Sequence, residues 1–308
     1  MDNITTLGKV SDRVNEMSKH CFDKNITVAD ISFDNLETVN IRSNTHELKS
    51  IAQRSICYRL EIPYQYLKKC PSDIQALNMN YWIEHEKNDQ LFFRFDGDSV
   101  RAIFTLKYKP VDNFEVLERL DSINYGPDTR VQCKVDHEMM VLSIPDGNKT
   151  FDINGDMITP GVSVTNSEVG LSSLSIEAFM LRLVCTNGLI SKTEIGASYR
   201  HVSTKILKEF PSVLEQVSYE VGKQKHQFRL SAESRVDNPE VTIQNFNKQF
   251  RLNQFEKEAV EWAWPLEMGY TMFNVLNAYT RAVQLEGLPA ESSYRLQKVG
   301  GNILGMLN

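Results

Sequence analysis

Between residues 129 and 203 the chain alternates apolar and polar side chains in four successive runs, cut at short intervals by turn residues. The runs are "TRVQCKVDHEMMVLSIP", "GVSVTNSEVG", "SLSIEAFMLRLVC" and "LISKTEIGASYRHVS". Pro145-Asp146-Gly147, Asn154-Gly155, Pro160-Gly161, Gly170 and Asn187-Gly188 punctuate them. A period of two with Gly, Pro and Asn between runs predicts strands joined by tight turns. Segment 174–183 also fits a helical period through Leu174, Ala178, Leu181 and Val184, but turn signals crowd both of its ends and favour a strand. Asn187-Gly188 suits a type I′ turn, which needs positive φ at both residues. Cys185 then groups with Leu181 and Leu183 on one strand face, a buried-hydrophobe position rather than a nucleophile's.

The rest of the chain frames this block. "QLFFRFDGDSVRAIFTLKY" carries two alternating runs around Asp96-Gly97, a strong hairpin signal. Upstream, "NTHELKSIAQRSICYRLEIPYQYLKKC" reads as helical, with Leu48, Ile51, Ala52 and Ile56 on one face and Asn44 or Thr45 as cap. Pro63 opens a second helix, and Ser72 caps a third after Pro71. Leu7, Val10, Val14 and Met17 predict a short amphipathic helix, and "NITVADISFDNLETVNI" looks extended or irregular. Asp112 caps a helix that faces Val116, Leu117 and Leu120 inward. From about 203 onward the pattern is helical, with a break at Pro265 and Gly269 and a joint near 233–240. The expectation is an α+β fold: a central, mostly antiparallel, curved sheet over about 90–205, a helical unit over about 41–90, and a helical tail. Residues 1–235 would form the core domain, with 236–308 packed on it.

Composition excludes several classes. No run approaches the roughly 18–20 apolar residues of a membrane-spanning helix, and "MDNITTLGKVSDRVNEM" lacks the apolar core of a secretory signal. A cytoplasmic protein is the expectation. Five cysteines and six histidines are scattered without a Cys-x-x-Cys pair or i, i+4 histidines, so neither a disulfide framework nor a zinc site is predicted. No Walker or Gly-x-Gly-x-x-Gly sequence occurs, "DINGDMITPGVS" lacks the acidic spacing of a calcium loop, and no cofactor is implied. Asp112, Asp152, Asp156 and Glu168 follow no recognisable catalytic spacing.

The net charge of −6 argues against bulk coating of nucleic acid. It is uneven, however: residues 41–70 hold six basic and two acidic side chains, 191–235 hold eight and five, and 71–190 hold ten and eighteen. Arg54, Arg59, Tyr58, Tyr64, Tyr66, Lys68 and Lys69 cluster in the first helical unit. Arg94, Arg101, Lys107 and Tyr108 decorate the hairpin, and Tyr199, Arg200 and Lys205 end the strand block. Stacking aromatics with backbone-tracking cations are the means of holding single-stranded nucleic acid. The competing reading packs the tyrosines in the core and solvates the cations.

Four stretches together resemble the phage- and plasmid-related family called domain of unknown function 932. They are "RAIFTLKYKPVDNFEVL", "GVSVTNSEVG", "LRLVCTNGL" followed by "SYRHVS", and "FNVLNAYTRA". The motif positions are Asn166, Ser167, Glu168, Gly170, Arg182, Cys185, Asn187 and Gly188, within a resemblance running from about residue 50 to 308. It implies a mobile-element protein of DNA metabolism, working in the host cytoplasm, and brings no assigned activity. Single-stranded DNA binding, as a homo-oligomer, is the leading expectation. A host-factor interaction protein and a metal-dependent nuclease or DNA-modifying enzyme are the rivals.

Overall fold

The computed structural model describes residues 4–123, 125–153, 155–182, 187–191, 197–199, 209, 212–213, 216 and 225–307. The fold is α+β, and it divides into two compact units. One is built on Arg13–Pro110; the other takes the described residues before and after it. Among the described residues no helix is long and apolar enough to cross a membrane.

The Arg13–Pro110 unit holds a six-stranded sheet: β2 (Cys21–Thr27), β3 (Ile31–Asn35), β4 (Thr38–Ile41), β5 (Asn44–Leu48), β6 (Gln90–Asp96) and β7 (Ser99–Thr105). Its order is β2-β6-β7-β5-β4-β3, so β2 and β3 are opposite edges. Only the 3₁₀ turn Val28–Asp30 joins them. Laid flat, six strands put the two edges ~24 Å apart, whereas four residue steps reach at most ~14 Å. The sheet must therefore curl until its edges approach. Inside the curl lies an apolar core of Phe33, Leu48, Leu91, Phe93 and Phe95, met by Ile56 and Met79 from the helices. The Asp96-Gly97 hairpin forms as predicted, with Gly97 at φ +54.

Helices α2 (Ser50–Arg59), α3 (Tyr64–Leu67) and α4 (Ser72–Ile83) pack in this unit. The predicted cap at Asn44 or Thr45 is not one: Asn44–Leu48 is strand β5, and α2 starts at Ser50. Periodicity misplaced the boundary because Leu48 is buried from a strand and continues the helical stripe by coincidence. The Ser72 side chain does not cap α4 either, whose N-cap position is Pro71. Edge strand β3 is satisfied by side chains of α4. Asn80 accepts from Phe33 N (2.8 Å) and donates to Phe33 O (2.9 Å), and Gln75 accepts from Leu36 N (2.9 Å). These amides stand where a further strand would otherwise pair.

The second unit contains an eight-stranded sheet, ordered β1-β8-β9-β11-β12-β13, with β10 on β11 and β14 on β12. Its strands are β1 (Ile4–Thr6), β8 (Arg130–Val135), β9 (Met140–Pro145), β10 (Phe151–Ile153), β11 (Asp156–Asn166), β12 (Leu174–Arg182), β13 (Asn187–Ser191) and β14 (Ala197–Tyr199). The helices with described bounds are α5 (Asn113–Asp121), α6 (Lys225–Glu233), α7 (Pro239–Gln249), α8 (Gln254–Glu267), α9 (Met272–Ala282) and α10 (Ala290–Gly305). α1 (Leu7–Ser18) buries Leu7, Val10 and Val14, as its spacing predicts.

The single sheet expected over 90–205 is two, since β6 and β7 share a sheet with strands from 21–48, a stretch that the sequence presented as extended or irregular and, from Asn44, as helical. Segment 174–182 is a strand. Pro160-Gly161 is not a break but the interior of β11. Pro160 lies just past the last β9 pair, where no donor is needed on that side. Gly161 lets two strands close up, because a Cβ there would sit 2.1 Å from Ile144 O. Asn187-Gly188 is not a type I′ turn either. Asn187 pairs with Arg182 and Gly188 with Leu181, so both are ladder residues. Cys185 lies outside the described residues. At Gly188 a Cβ would meet the Phe179 ring at 2.1 Å, and that ring is fully buried. Gly188→Ala is expected to lower stability by ~1–3 kcal/mol, read as the urea unfolding midpoint. An unchanged midpoint would mean that Phe179 does not pack against this strand.

Candidate nucleic-acid interface

The curl of the six-stranded sheet leaves a groove at its mouth, of about 360 Å³, lined from β2, the 3₁₀ turn and the β4–β5 hairpin. Phe22 on β2 stacks nearly parallel on Phe95 of β6, with centroids 4.7 Å apart and planes at 6°. Phe22 remains 48% exposed. His46 of β5 meets Phe95 edge-on at 5.3 Å. Lys24 and Arg42 reach the same groove, both exposed. Its lone acid, Asp30, accepts from Arg42 Nε at 2.9 Å.

Arg42 sits in the two-residue β4–β5 turn at φ +57, a left-handed conformation that favours glycine. Such a residue is held against a local cost of about 1–3 kcal/mol, and strain of this kind gathers at functional sites. Sequence reasoning missed the groove. Its only trace was a phenylalanine inside the otherwise polar run "CFDKNIT".

A second basic and aromatic patch lies on α2 and α3. The Arg54 guanidinium is 5.7 Å and Lys68 Nζ 6.0 Å from the Tyr64 ring centroid. Tyr58 and Tyr66 are exposed nearby in sequence. Arg54 therefore lies at the surface among the aromatic and basic residues predicted with it.

Other predicted cations are committed elsewhere. Arg59 pairs with Glu86 at 3.0 Å. Burial raises the Glu86 pKa, but hydrogen bonds from Asn88 and the Arg59 charge bring it below the usual carboxylate range. Arg94 is 3% exposed and bonds Asp23 at 2.9 Å. Arg101 is buried at a β-bulge, 3.0 Å from Cys21 Sγ. Arg94 and Arg101 are thus interior rather than surface side chains, and Arg94 lies on the face of β6 opposite Phe93 and Phe95, beside its cross-strand neighbour Asp23. Tyr108 is buried and stacks on Phe104 at 3.8 Å, whereas Lys107 is exposed. Arg200, Lys205 and the Tyr199 side chain lie outside the described residues.

The motif residues of the other unit do structural work. Asn166 Nδ2 donates to Val111 O and Asn113 Oδ1, both at 2.9 Å. Glu168 accepts from Asn113 N at 2.8 Å, at the N-terminus of α5 where a carboxylate is favoured. Ser167 Oγ donates to Glu138 O, and Gly170 takes φ +83. Arg182 joins Asp156 (3.0 Å) and Glu267 (2.6 Å) beneath the Phe273 ring. Burial works against its charge, and the two carboxylates more than restore it. Asp112 and Glu115 form the capping box of α5. Among the described residues no three of His, Cys, Asp and Glu come together to hold a metal ion.

A family model described as "Domain of unknown function (DUF932)" matches residues 102–298. No curated protein and no solved structure matches the chain.

Two substitutions separate interior cations from groove cations. Arg94→Gln is expected to cost ~1–3 kcal/mol by leaving the Asp23 carboxylate without its partner. Arg42→Gly relieves left-handed strain and loses only an exposed ion pair, so the urea midpoint should hold or rise. A fall with Arg42→Gly equal to that of Arg94→Gln would make Arg42 a structural residue.

Proposed function

We propose that this chain, which belongs to the DUF932 family, binds single-stranded nucleic acid, DNA in the first place, through the mouth of its curled sheet. The family description assigns no activity, and the groove residues precede the matched span, so the reading rests on the geometry. One observation carries it: Phe22 is backed by Phe95, turns an open face to solvent, and is flanked by Lys24, Arg42 and His46. A base stacks on such a ring while the cations follow the phosphates, and every base has a face to offer.

The charge distribution supports the same reading. Residues 13–110 hold fourteen basic and thirteen acidic side chains, against twenty and twenty-seven in the remainder. The acidic excess lies outside the unit that carries the groove, so that unit does not repel a phosphate backbone by bulk charge. The Arg54–Tyr64–Lys68 patch gives the same unit a second basic and aromatic surface. We place the protein in DNA metabolism of a mobile element, as a binding or annealing accessory factor.

A second reading, docking of a protein partner, draws on α4. Ile74, Leu77, Tyr81 and Trp82 stand exposed on its outer side.

Fluorescence anisotropy with labelled oligothymidine and with duplex across a salt series tests the proposal. Phe22→Ala should weaken single-strand binding at least fivefold, the low end of the ~1–3 kcal/mol that a stacked base contributes. Lys24→Gln with Arg42→Gln should flatten the salt slope by ~1.4, or ~0.7 for each phosphate contact. Wild-type affinity in both variants would remove the groove as the binding site, and no binding at low salt would favour the protein-partner reading.

A further inference from the structure

One face of the eight-stranded sheet carries polar residues beside an apolar cluster of Val141, Phe179, Leu181 and Ile190, and is yet covered. Strand register puts Lys134 of β8, Ser143 of β9, Ser163 of β11 and Glu177 of β12 on the same side. α10 lies against that side: Tyr294 Oη donates to Glu177 at 2.9 Å and Lys298 pairs with Glu177. Between β8, β9 and the α9–α10 pair remains a cavity of about 20 Å³.

Its lining is distinctive in charge. It contains Lys134, three glutamines, two serines and a threonine, and no aspartate or glutamate. Lys134 Nζ has one hydrogen bond, a long one of 3.4 Å to Val283 O at the end of α9. Burial pushes its pKa down to about 8, against a smaller opposing pull from Asp136. Asp136 is itself engaged by the backbone N–H groups of Glu138, Met139 and Ala290. Two further polar atoms at the cavity, Ser293 Oγ and Gln297 Oε1, are buried and have no hydrogen-bond partner. Their side chains belong to residues only 1% and 7% exposed. Ser293 stands in the first turn of the sixteen-residue α10, where the helix dipole favours negative charge.

An ammonium with no carboxylate in hydrogen-bond contact, its neighbour Asp136 being spent on backbone N–H groups, together with a wall of hydroxyls and amides and two buried polar atoms without partners, points to an anion site. We propose that this cavity binds an oxyanion group, a carboxylate or a phosphate, with Lys134 and Ser293 as its donors. Space for about one water-sized group admits a single oxygen atom and excludes a ring. The rest of the ligand stays at the rim, where Cys133 and Gln284 are half-buried. A half-turn of the Gln297 amide presents its NH₂ to the same oxygen.

The test uses the full chain without nucleic acid. Sodium phosphate and sodium acetate are titrated separately against sodium chloride at equal ionic strength, by calorimetry and by thermal unfolding midpoint. Saturable binding of either anion is expected, weakened at least tenfold in Lys134→Met, several-fold in Ser293→Ala, and unaltered in Lys248→Met at the exposed surface. Response to phosphate alone or to acetate alone identifies the group. If Lys134→Met fails to fold, Ser293→Ala decides. The proposal is overturned if neither anion binds saturably, or if binding is unchanged in both cavity variants. Nucleic-acid affinity is measured separately and on the other unit, so either proposal can fail alone.

Discussion

Three residues hold the first unit in its shape. Val28–Asp30 must bring together two strands that a flat sheet would keep far apart, and the sheet has no option but to curl. The curl gathers Phe33, Phe93 and Phe95 into one interior and brings β2 opposite the β4–β5 hairpin. The groove is the uncovered end of that interior, which is why an aromatic stack there is half core and half surface. The Arg42 turn closes the mouth, and the Arg42–Asp30 ion pair ties it to the link that enforces the curl.

The second unit follows a different rule. One face of its sheet is almost wholly apolar, and the other mixes serine, threonine, lysine and glutamate with the apolar cluster of Val141, Phe179, Leu181 and Ile190. Under water such a face would need no explanation. Here α9 and α10 cover it, so its polar groups must find partners across the interface. Glu177 does so through Tyr294 and Lys298, and burial with the neighbouring carboxylate pushes the Tyr294 hydroxyl pKa well above its ordinary value. The family-motif positions fasten the edges of this arrangement: Asn166 and Glu168 fix the start of α5, and Arg182 clamps the end of β12 to α8. The described ones stand as buried pairs and caps.

Much of the architecture was legible in the sequence. The Asp96-Gly97 hairpin, the strand at 174–182 and the Asp112-capped helix all follow from local period and turn chemistry. What escaped was non-local. Asn44–Leu48 is a strand because β7 and β4 flank it, and neither neighbour is visible from its own five residues. Pro160-Gly161 and Asn187-Gly188 look like turns, but the glycines there answer to a strand or a ring that approaches from elsewhere. The surface set was legible in part. Arg54 and Lys107 lie outside, whereas Arg94 and Arg101 are buried, Arg94 on the sheet face away from Phe93 and Phe95, and no residue spacing marks that face as covered. Phe22 left only a faint trace, because an exposed phenylalanine beside polar residues is distinctive only once its stacking partner is known.

Hydrogen–deuterium exchange of the full chain, with and without saturating oligothymidine, tests the central claim most directly. Slowed exchange is expected in the segments 21–30 and 41–47 that form the mouth of the curled sheet, with the 130–145 strands unaffected. Protection confined to the second unit, or spread over neither mouth segment, would contradict it.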